Sequence, residues 1–359
     1  GFSTWILLPV RSNANVIINE NAPTDAAEVL AYYNREQYGE QKTFYGPLYT
    51  EKYAGLDPVN PYQDAAPNYE RDYATGKYVI VNNYKNARQN ADDNHKGFLP
   101  RMNSDKHATG YMSFNGPPKF RLDPNFDYGQ ELKKYGVDVN ALSEEEAMQA
   151  IAQIKGELEG IINEFKSAYS SGQMGYEEYD KFLTSYSQYL IIDKPTFSEN
   201  MAFMIDYQFG YMFWRYLMFN FTGRQNDIQG EYDTLHGNWI SGILFIDEAR
   251  LGPQTHLTSD MKNNKGRNAY YFIPFLLGVL GMVFHARKDA KSFYVVLVLF
   301  LFTGIALKIF LNEKPFEVRE RDYALVGAFY AFAIWIGFGV YALFDIAKKY
   351  LQPKIAIPA

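Results

Sequence analysis

The sequence predicts a mainly α-helical integral membrane protein in which a large polar region precedes the membrane helices. Segments 292–311 and 323–344 are each apolar over about 20 residues, and a helix of that length crosses the ~30 Å hydrocarbon layer of a bilayer. Segment 269–284 is shorter, and Tyr270 and Tyr271 are placed to anchor its outer end at the membrane interface. A buried soluble helix is the alternative for this third segment. The mean hydropathy of the chain is −0.31, so the chain as a whole is not a compact helical transporter. The apolar residues are concentrated near the C-terminus.

Basic residues in the short connections orient the three predicted membrane helices. They are concentrated in 285–291 and in the tail 345–359, and the positive-inside rule assigns both segments to the cytoplasm. The region 11–268 is then predicted to be periplasmic, in a multi-pass protein of the inner (cytoplasmic) membrane. Lys308 is the only charge within the two long segments, and we expect it to snorkel to the interface.

The composition excludes several classes of function. The formal charge of −6 argues against nucleic acid as a main partner, and the absence of cysteine excludes thiol catalysis, disulfides and iron–sulfur clusters. The sequence holds no nucleotide-binding loop and no HExxH, GxSxG or EF-hand pattern, so a divalent cation has no motif and no metal ligands are assigned. Aromatic residues make up 17% of the chain, which suits a membrane interface or stacking on sugar rings, and equally a Tyr-rich soluble surface.

The first half of the polar region predicts few long elements. GFSTWILLPV at residues 1–10 is typical of the end of a membrane helix, so we expect a truncated transmembrane helix there and a longer parent polypeptide. Pro23 and Thr24 or Asp25 predict the start of a helix that continues to Gly39. Residues 40–130 are rich in Gly, Pro, Asn and Tyr and predict irregular structure over the membrane surface, with one strand at 77–81.

The second half of the polar region predicts a helical hairpin and an aromatic helix. Ser143, followed by three glutamates, caps a helix to about residue 170, and a second helix follows at 175–191. We expect this hairpin, 143–191, to be an inserted structural or partner-binding element. Segment 198–221, capped by Ser198, carries an aromatic stripe and is largely apolar on its other face, which predicts a helix that is either buried or lies at the membrane interface. Its charges Asp206 and Arg215 argue against a helix that crosses the bilayer.

Polar residues next to the predicted membrane ends are the candidate site. Guanidinium groups at that depth suit phosphate, which they bind with two parallel hydrogen bonds, and Arg11, Arg319 and Arg321 are the candidates for a donor phosphate. Further residues are candidates for a substrate groove: Asn13, Asn15, Asn19, Glu20, Arg101, Arg215, Arg224, Gln225, Asn226, Asp227, Glu320, Asp322 and Tyr323. The alternative is structural: the arginines pair with neighbouring acids, and the asparagines make turns.

Several long runs resemble one family of multi-pass membrane proteins from Bacteroidota, known as domain of unknown function 2723. They occur in order between residues 3 and 345: RSNAN, INEN, LAYYNREQYG followed by FYGPLY, FLPRM, FWRYLMFNFTGRQNDIQG, GNWISGI, FID and FEVRERDYALVGAFYAFAIWIGFGV. The resemblance implies the C-terminal part of a GT-C-like bundle, related to protein O-mannosyltransferases, with a large irregular and helical non-cytoplasmic region. The hairpin is not part of the resemblance.

The resemblance implies a protein O-glycosylation enzyme that transfers a sugar from a polyprenyl phosphate to a protein or glycan acceptor on the periplasmic face. In such enzymes the acidic residue that acts as the catalytic base lies in the first outer loop, which precedes this sequence, so no catalytic residue is assigned. The expected partners are the bilayer, the lipid-linked sugar, the acceptor, and the upstream membrane helices or another membrane subunit. A non-catalytic scaffold of an envelope complex is the alternative function. A transporter ranks third, because the two long segments lack midplane charges and paired breaks.

The predicted orientation can be tested by labelling a single cysteine, since the chain has no native one. Lys288→Cys is expected to react with a membrane-impermeant maleimide only after permeabilisation, because the 285–291 connection is predicted to be cytoplasmic. Tyr73→Cys, in the predicted periplasmic region, is the control and should react in intact cells. Labelling at position 288 in intact cells would overturn the orientation.

Overall fold

The computed structural model describes residues 2–14, 16–19, 21–34, 42–90, 92–134, 136, 142–317 and 321–350, with the side chains of 2–5 and 322 left aside. The chain is mainly helical and forms two compact units, Gly1–Phe44 and Tyr45–Ala359. The predicted cytoplasmic tail beyond residue 350 lies outside the described residues.

The first unit contains two helices. Phe2–Ser12 is the helix predicted for the start of the chain, and it includes Pro9. Ala26–Tyr33 begins at the predicted position, where the Asp25 side chain accepts hydrogen bonds from the backbone of Ala27 and Glu28. The Glu28 side chain accepts a hydrogen bond from the Asp25 backbone and completes a capping box. The box satisfies backbone donors that have no partner within the first turn. The predicted continuation to Gly39 lies outside the described residues.

The second unit begins with a polar head, residues 45–203, that is more ordered than the sequence predicts. The strand expected at 77–81 is confirmed as Lys77–Asn82, and the irregular structure expected over 40–130 is found in only part of that range. Short antiparallel pairs and short helices occupy much of it, because strands of two or three residues leave no periodic pattern in a sequence. The pairs here and further along are Tyr45–Pro47 with Lys96–Phe98, Tyr62–Gln63 with Arg88–Gln89, Asn68–Asp72 with Lys77–Asn82, Phe120–Leu122 with Leu190–Ile192, and Gly223–Arg224 with Asn268–Ala269. Short α-helices are Ala108–Asn115, Tyr128–Lys134, Leu244–Leu251 and Ser259–Lys262.

The predicted hairpin forms as two antiparallel helices, Glu144–Ser170 and Tyr176–Tyr186. Ser143 caps the first with a capping box to Glu146. The rings of Phe165 and Phe182 stack at 3.8 Å, and those of Tyr169 and Tyr179 meet at 4.9 Å, so contacts run in opposite directions along the two helices. The second helix ends earlier than predicted, because Leu190–Ile192 pairs with Phe120–Leu122 as a strand.

The hairpin is part of the main core of the head, so its prediction as an inserted, separable element is wrong. Its buried face packs with residues of the 3₁₀ helix Tyr49–Tyr53, of the short helix Ala108–Asn115 and of the later aromatic helix. This core contains Tyr49, Tyr53, Met102, Ala108, Tyr111, Met112, Phe120, Ile162, Phe165, Tyr179, Phe182, Leu183, Leu190, Ile192, Phe203, Tyr207 and Met212. Removing the hairpin would expose the other half of that core, and each large side chain uncovered costs about 1.5–3 kcal/mol.

The aromatic helix is continuous from Phe197 to Phe221 and belongs to two cores. It consists of Phe197–Phe203, a π-helical stretch Met204–Arg215, and Tyr216–Phe221. Thr196, not Ser198, is its N-cap, and it pairs with Glu199 in a capping box. The first half packs in the head, and from Phe213 onward the helix packs against the apolar helices near the C-terminus. Its position at a membrane interface stays a prediction.

Three apolar helices follow: Ile273–Lys288, Ala290–Leu311 and Val326–Tyr350. The second has a π-helical stretch at Phe302–Ala306. Ala290–Leu311 and Tyr323–Tyr350, which includes a short 3₁₀ turn, are long and apolar enough to cross a membrane. The third predicted span is too short: Ile273–Lys288 has 16 residues, about 24 Å of helix, because the chain upstream of it forms a strand and a turn.

The first and last apolar helices run parallel and touch through glycines. A Cβ at Gly281 would collide with the Trp335 carbonyl oxygen, and one at Gly339 with the Leu277 carbonyl oxygen. The missing side chains let the two backbones meet, as small residues do in membrane helix pairs. Lys288 reaches Asp345 at 3.6 Å, so 285–291 and the end of the last helix lie at the same end of the bundle, as predicted.

A buried ion pair closes the turn between the two long helices. Lys308 and Glu313 are each 1% exposed, and the Lys308 Nζ lies 2.7 Å from one Glu313 carboxylate oxygen and 2.8 Å from the other. The expectation that Lys308 snorkels is therefore wrong, because Asn312 adopts a left-handed conformation and turns Glu313 back onto it. Burial raises the pKa of Glu313, and the charge of Lys308 opposes that shift.

The ion pair predicts a specific pattern of stability. Lys308→Met or Glu313→Gln alone is expected to lower the free energy of unfolding by about 3–5 kcal/mol, because each leaves a charge buried without its partner. The double variant should recover most of the loss, since it removes both charges. Denaturant unfolding in detergent would measure this. Additive losses in the double variant would contradict the pairing.

Candidate functional site

The candidate residues of the first unit are engaged in a local turn. The Asn13 side chain donates to the carbonyls of Pro9 and Thr24, and the Asn19 side chain donates to the Ser12 carbonyl. Arg11 is exposed. The turn interpretation therefore holds for Asn13 and Asn19, while Asn15 and Glu20 lie outside the described residues. The predicted convergence of Arg11 with the other arginines stays a prediction.

The candidate residues before the last helix are described only in part. Arg321 lies 3.5 Å from Glu317, with its side chain 47% exposed, so the ion pair leaves part of the guanidinium open to solvent. Tyr323 is 61% exposed. Arg319 and Glu320, and the side chain of Asp322, lie outside the described residues.

The other three candidate arginines are built into the fold. Arg101 is 1% exposed and donates to the Ile309 carbonyl at 2.7 Å, which places a cation at the C-terminus of the first long helix, where the helix dipole favours it. Arg215 lies over the rings of Tyr211 and Tyr216 and donates to the Gly237 carbonyl. Arg224 donates to Asn220 and lies over the Phe219 ring, so none of the three is aimed at an open groove.

Two buried amides shape the loop that follows the aromatic helix. The Gln225 side chain donates to the Thr234 carbonyl and accepts from Asn238, and the Asn226 side chain donates to the Leu235 carbonyl and accepts from the Gly237 backbone. Asp227, which is exposed, accepts from Asn264. These side chains hold the loop 228–238 in place, and the loop carries its own polar groups towards the turn between the two long helices.

The structure brings this loop and that turn together around an aromatic cleft. Tyr207 and Tyr211 of the aromatic helix face Tyr232 of the loop and Phe316 of the turn. The Tyr232 ring lies 4.9 Å from Tyr211 and 4.8 Å from Phe114, and the Tyr211 hydroxyl accepts from the Tyr232 backbone. The enclosed space is about 20 Å³, so the cleft is closed in this conformation.

The two residues that cover the cleft have unusual backbones. Tyr232 has φ +61° and Phe316 φ +55°, and their side chains are 44% and 51% exposed. An aromatic residue with positive φ costs of order 1–3 kcal/mol and tends to occur at sites where a ligand is bound or a segment moves. Backbone strain in the wall of the cleft is therefore found at Tyr232 and Phe316, the two residues that cover it.

Carboxylates line the same cleft. Glu231 and Glu317 lie at its rim, and the Gln229 side chain donates to the Glu317 carbonyl, which joins the loop to the turn. Beside it, Glu231, Asp233 and His236 offer ligand atoms within 4.8 Å of one another. Burial raises the pKa of Asp233, but hydrogen bonds from His236 and the backbone outweigh it and hold that pKa below its usual range. Motif analysis missed this group, because E-x-D-x-x-H in a loop matches no standard metal motif.

Sequence analysis also missed open clefts of the polar head, among them two large ones. One, of about 570 Å³, is lined by Asp92, His95, Asp123, Ser187, Asp193 and Lys194. The other, of about 400 Å³, is lined by Glu51, Lys52, Gln89, Asn90, Asn103 and Asp105, and both clefts border Ala54 and Gly55. His95 is buried with its Nδ1 at 3.0 Å from the Thr50 hydroxyl, and burial lowers its pKa. These residues are far apart in sequence, so only the fold brings them together.

Comparison with known proteins adds one finding. Residues 39–205 match a family of unknown function, DUF8416. The match spans just under half of the chain and includes the helical hairpin and the polar clefts, which agrees with their sharing one core. It is not the family that the sequence resemblance indicated. No curated protein and no solved structure gives a significant match.

The positive φ of Tyr232, which covers the cleft, predicts that glycine is more stable than alanine at this position. Tyr232→Gly is expected to be more stable than Tyr232→Ala by about 1 kcal/mol, because glycine adopts a positive φ without steric cost and alanine does not. Thermal unfolding of the two variants in detergent gives the comparison. Trp239→Gly against Trp239→Ala, in the same loop region but at a residue with ordinary φ, is the control and should favour alanine. Alanine preferred at position 232 as well would show that the backbone there is unstrained.

Proposed function

We propose that the chain is part of a membrane glycosyltransferase of the GT-C type. It transfers a sugar from a polyprenyl-phosphate donor to a protein or envelope acceptor on the periplasmic face of the inner membrane. The observation that carries the proposal is the aromatic cleft at the turn between two membrane-length helices, with carboxylates at its rim and Arg321 beside it.

The chemistry of the cleft suits a lipid-linked sugar. Tyrosine rings offer faces for a sugar ring, and the carboxylates of Glu231 and Glu317 accept hydrogen bonds from sugar hydroxyls. The exposed part of the Arg321 guanidinium is available for a phosphate, with Glu317 orienting it. Because the cleft is closed, binding requires the strained segments at Tyr232 and Phe316 to move apart.

The position of the cleft suits the same substrate. It lies at the end of the long helices, where the phosphate of a membrane-bound donor is found. The opposite end carries the basic residues of 285–291 and of the last helix, which Lys288 and Asp345 bring together. The positive-inside rule assigns that basic end to the cytoplasm and the cleft to the periplasm.

A specific observation favours a second candidate, a non-catalytic scaffold in an envelope complex. Three candidate side chains donate hydrogen bonds to backbone carbonyls of the chain itself, as residues that fix a loop do: Gln225, Asn226 and Arg215. Arg321 already has Glu317 as a partner. A scaffold requires only that the loop and the turn be rigid. It does not require Arg321 to leave Glu317 and bind a phosphate.

Substitution of Arg321 separates the two functions. In the complete protein, Arg321→Ala is expected to lower donor-dependent sugar transfer about 10-fold or more, because a charge-assisted bond to phosphate contributes about 1.5–3 kcal/mol. Arg321→Lys should recover only part, since lysine keeps the charge and loses the bidentate geometry. The measurement is transfer of radiolabelled sugar from the lipid donor in membranes.

The matched control is Arg121→Ala. Arg121 is also an exposed arginine in an ion pair, 3.1 Å from Asp193, but it lies on the head away from the cleft, and its loss should leave transfer unchanged. Equal activity of Arg321→Ala and the wild type would remove Arg321 from the proposed donor site. Absence of transfer by the complete wild-type protein with every polyprenyl-phosphate sugar tried would favour the scaffold.

A further inference from the structure

One edge of the head lies against the end of the first long helix. Arg101 donates to the Ile309 carbonyl at 2.7 Å, and the Asn312 side chain donates to the Pro100 carbonyl at 2.9 Å. The Asn200 side chain holds the same edge from the aromatic helix through the Leu99 carbonyl at 2.5 Å. The strand that ends at Phe98 is therefore fixed next to the end of a helix long enough to cross a membrane.

Three large aromatic side chains are exposed on this edge. Phe98 and Phe197 are 56% and 57% exposed, with their rings 6.3 Å apart. Tyr45, 57% exposed, stands opposite Phe98 on the paired strand. We call Tyr45, Phe98 and Phe197 the aromatic edge. Grouped phenyl rings left in water are unfavourable and mark a surface that another phase or molecule covers.

The surroundings of the aromatic edge indicate what covers it. The adjoining long helix is also apolar, with Phe310 47% and Phe302 69% exposed, so exposed aromatic side chains occur both on the helix and on the edge that is bonded to its end. Lys194 lies next to the same strand, where its Nζ donates to the Lys96 carbonyl at 2.7 Å. Aromatic side chains beside a basic group, at the end of an apolar helix, are the combination found where proteins meet lipid headgroups.

We propose that the aromatic edge rests in the headgroup layer of the bilayer and fixes the head against the membrane surface. This rests on the proposed function to the extent that both need Ala290–Leu311 to cross the membrane. The occupant is lipid, because the edge is bonded to the end of an apolar helix long enough to cross a membrane and a basic side chain lies beside it. The contact sets the height of the head, and with it the height of the cleft, above the acyl chains.

The test measures the depth of spin labels in lipid nanodiscs of phosphatidylethanolamine and phosphatidylglycerol. Single cysteines replace Tyr45, Phe98 and Phe197, each exposed enough to accept a label, and the chain has no cysteine of its own. Accessibility to oxygen, which is enriched in the bilayer, is compared with accessibility to a water-soluble nickel chelate. At all three positions we expect nickel accessibility several-fold lower than at a Tyr73→Cys control. Tyr73 is 88% exposed and lies in the loop between the strands Asn68–Asp72 and Lys77–Asn82 of the head.

A second control distinguishes this inference from the membrane proposal. Phe302→Cys, on the open face of the first long helix, should report acyl depth. If position 302 is in the bilayer while 45, 98 and 197 are as accessible to nickel as 73, the aromatic edge does not contact lipid and the inference fails alone. If position 302 is itself accessible to nickel, the helix does not cross the membrane, and the proposed function fails with it.

Discussion

The structure depends on how the turn at 308–313 is held. An apolar bundle and a polar head meet there, and an apolar surface and a polar surface do not attract each other. The Lys308–Glu313 pair, the Arg101 cation at the helix end and the Asn312 amide form a small polar junction, in which Lys308, Glu313 and Arg101 are buried. Lys308 and Glu313 need each other there, because an unpaired buried ion costs several kcal/mol. The Arg101 and Asn312 hydrogen bonds then hold the head at one defined position on the bundle.

The same junction positions the cleft. The turn that carries Glu313 continues to Phe316 and Glu317, and Gln208 of the aromatic helix donates to Asn312 and to the Glu313 carbonyl. The loop 228–238 reaches the turn from the other side through Gln229. The wall of the cleft thus comes from three separate stretches of chain, and each stretch is tied to the junction or to its neighbour by hydrogen bonds to the backbone.

Long periodic segments were predictable from the sequence, and contacts between distant segments were not. Ser143 and the glutamates after it mark a helix start whose chemistry is local, and the long apolar runs carry their own signal. The partner of Lys308 lies only five residues away, but it is reached through a left-handed turn at Asn312, which has no strong sequence signature. Arg101 was singled out as a groove residue, but its role as a cap on a helix about 200 residues later could come only from the fold.

The π-helical stretch of the aromatic helix, Met204–Arg215, has a mechanical consequence. A π-turn holds an extra residue compared with an α-turn, and the hydrogen-bond ladder can pass that residue along by exchanging one carbonyl partner for the next. Met212 faces the head and Phe213 faces the apolar bundle, so the boundary between the two cores falls inside this stretch. A displacement of the extra residue there would rotate one half of the helix relative to the other. Because Tyr207 and Tyr211 lie on this stretch, such a displacement would also change the angle of two rings that line the cleft.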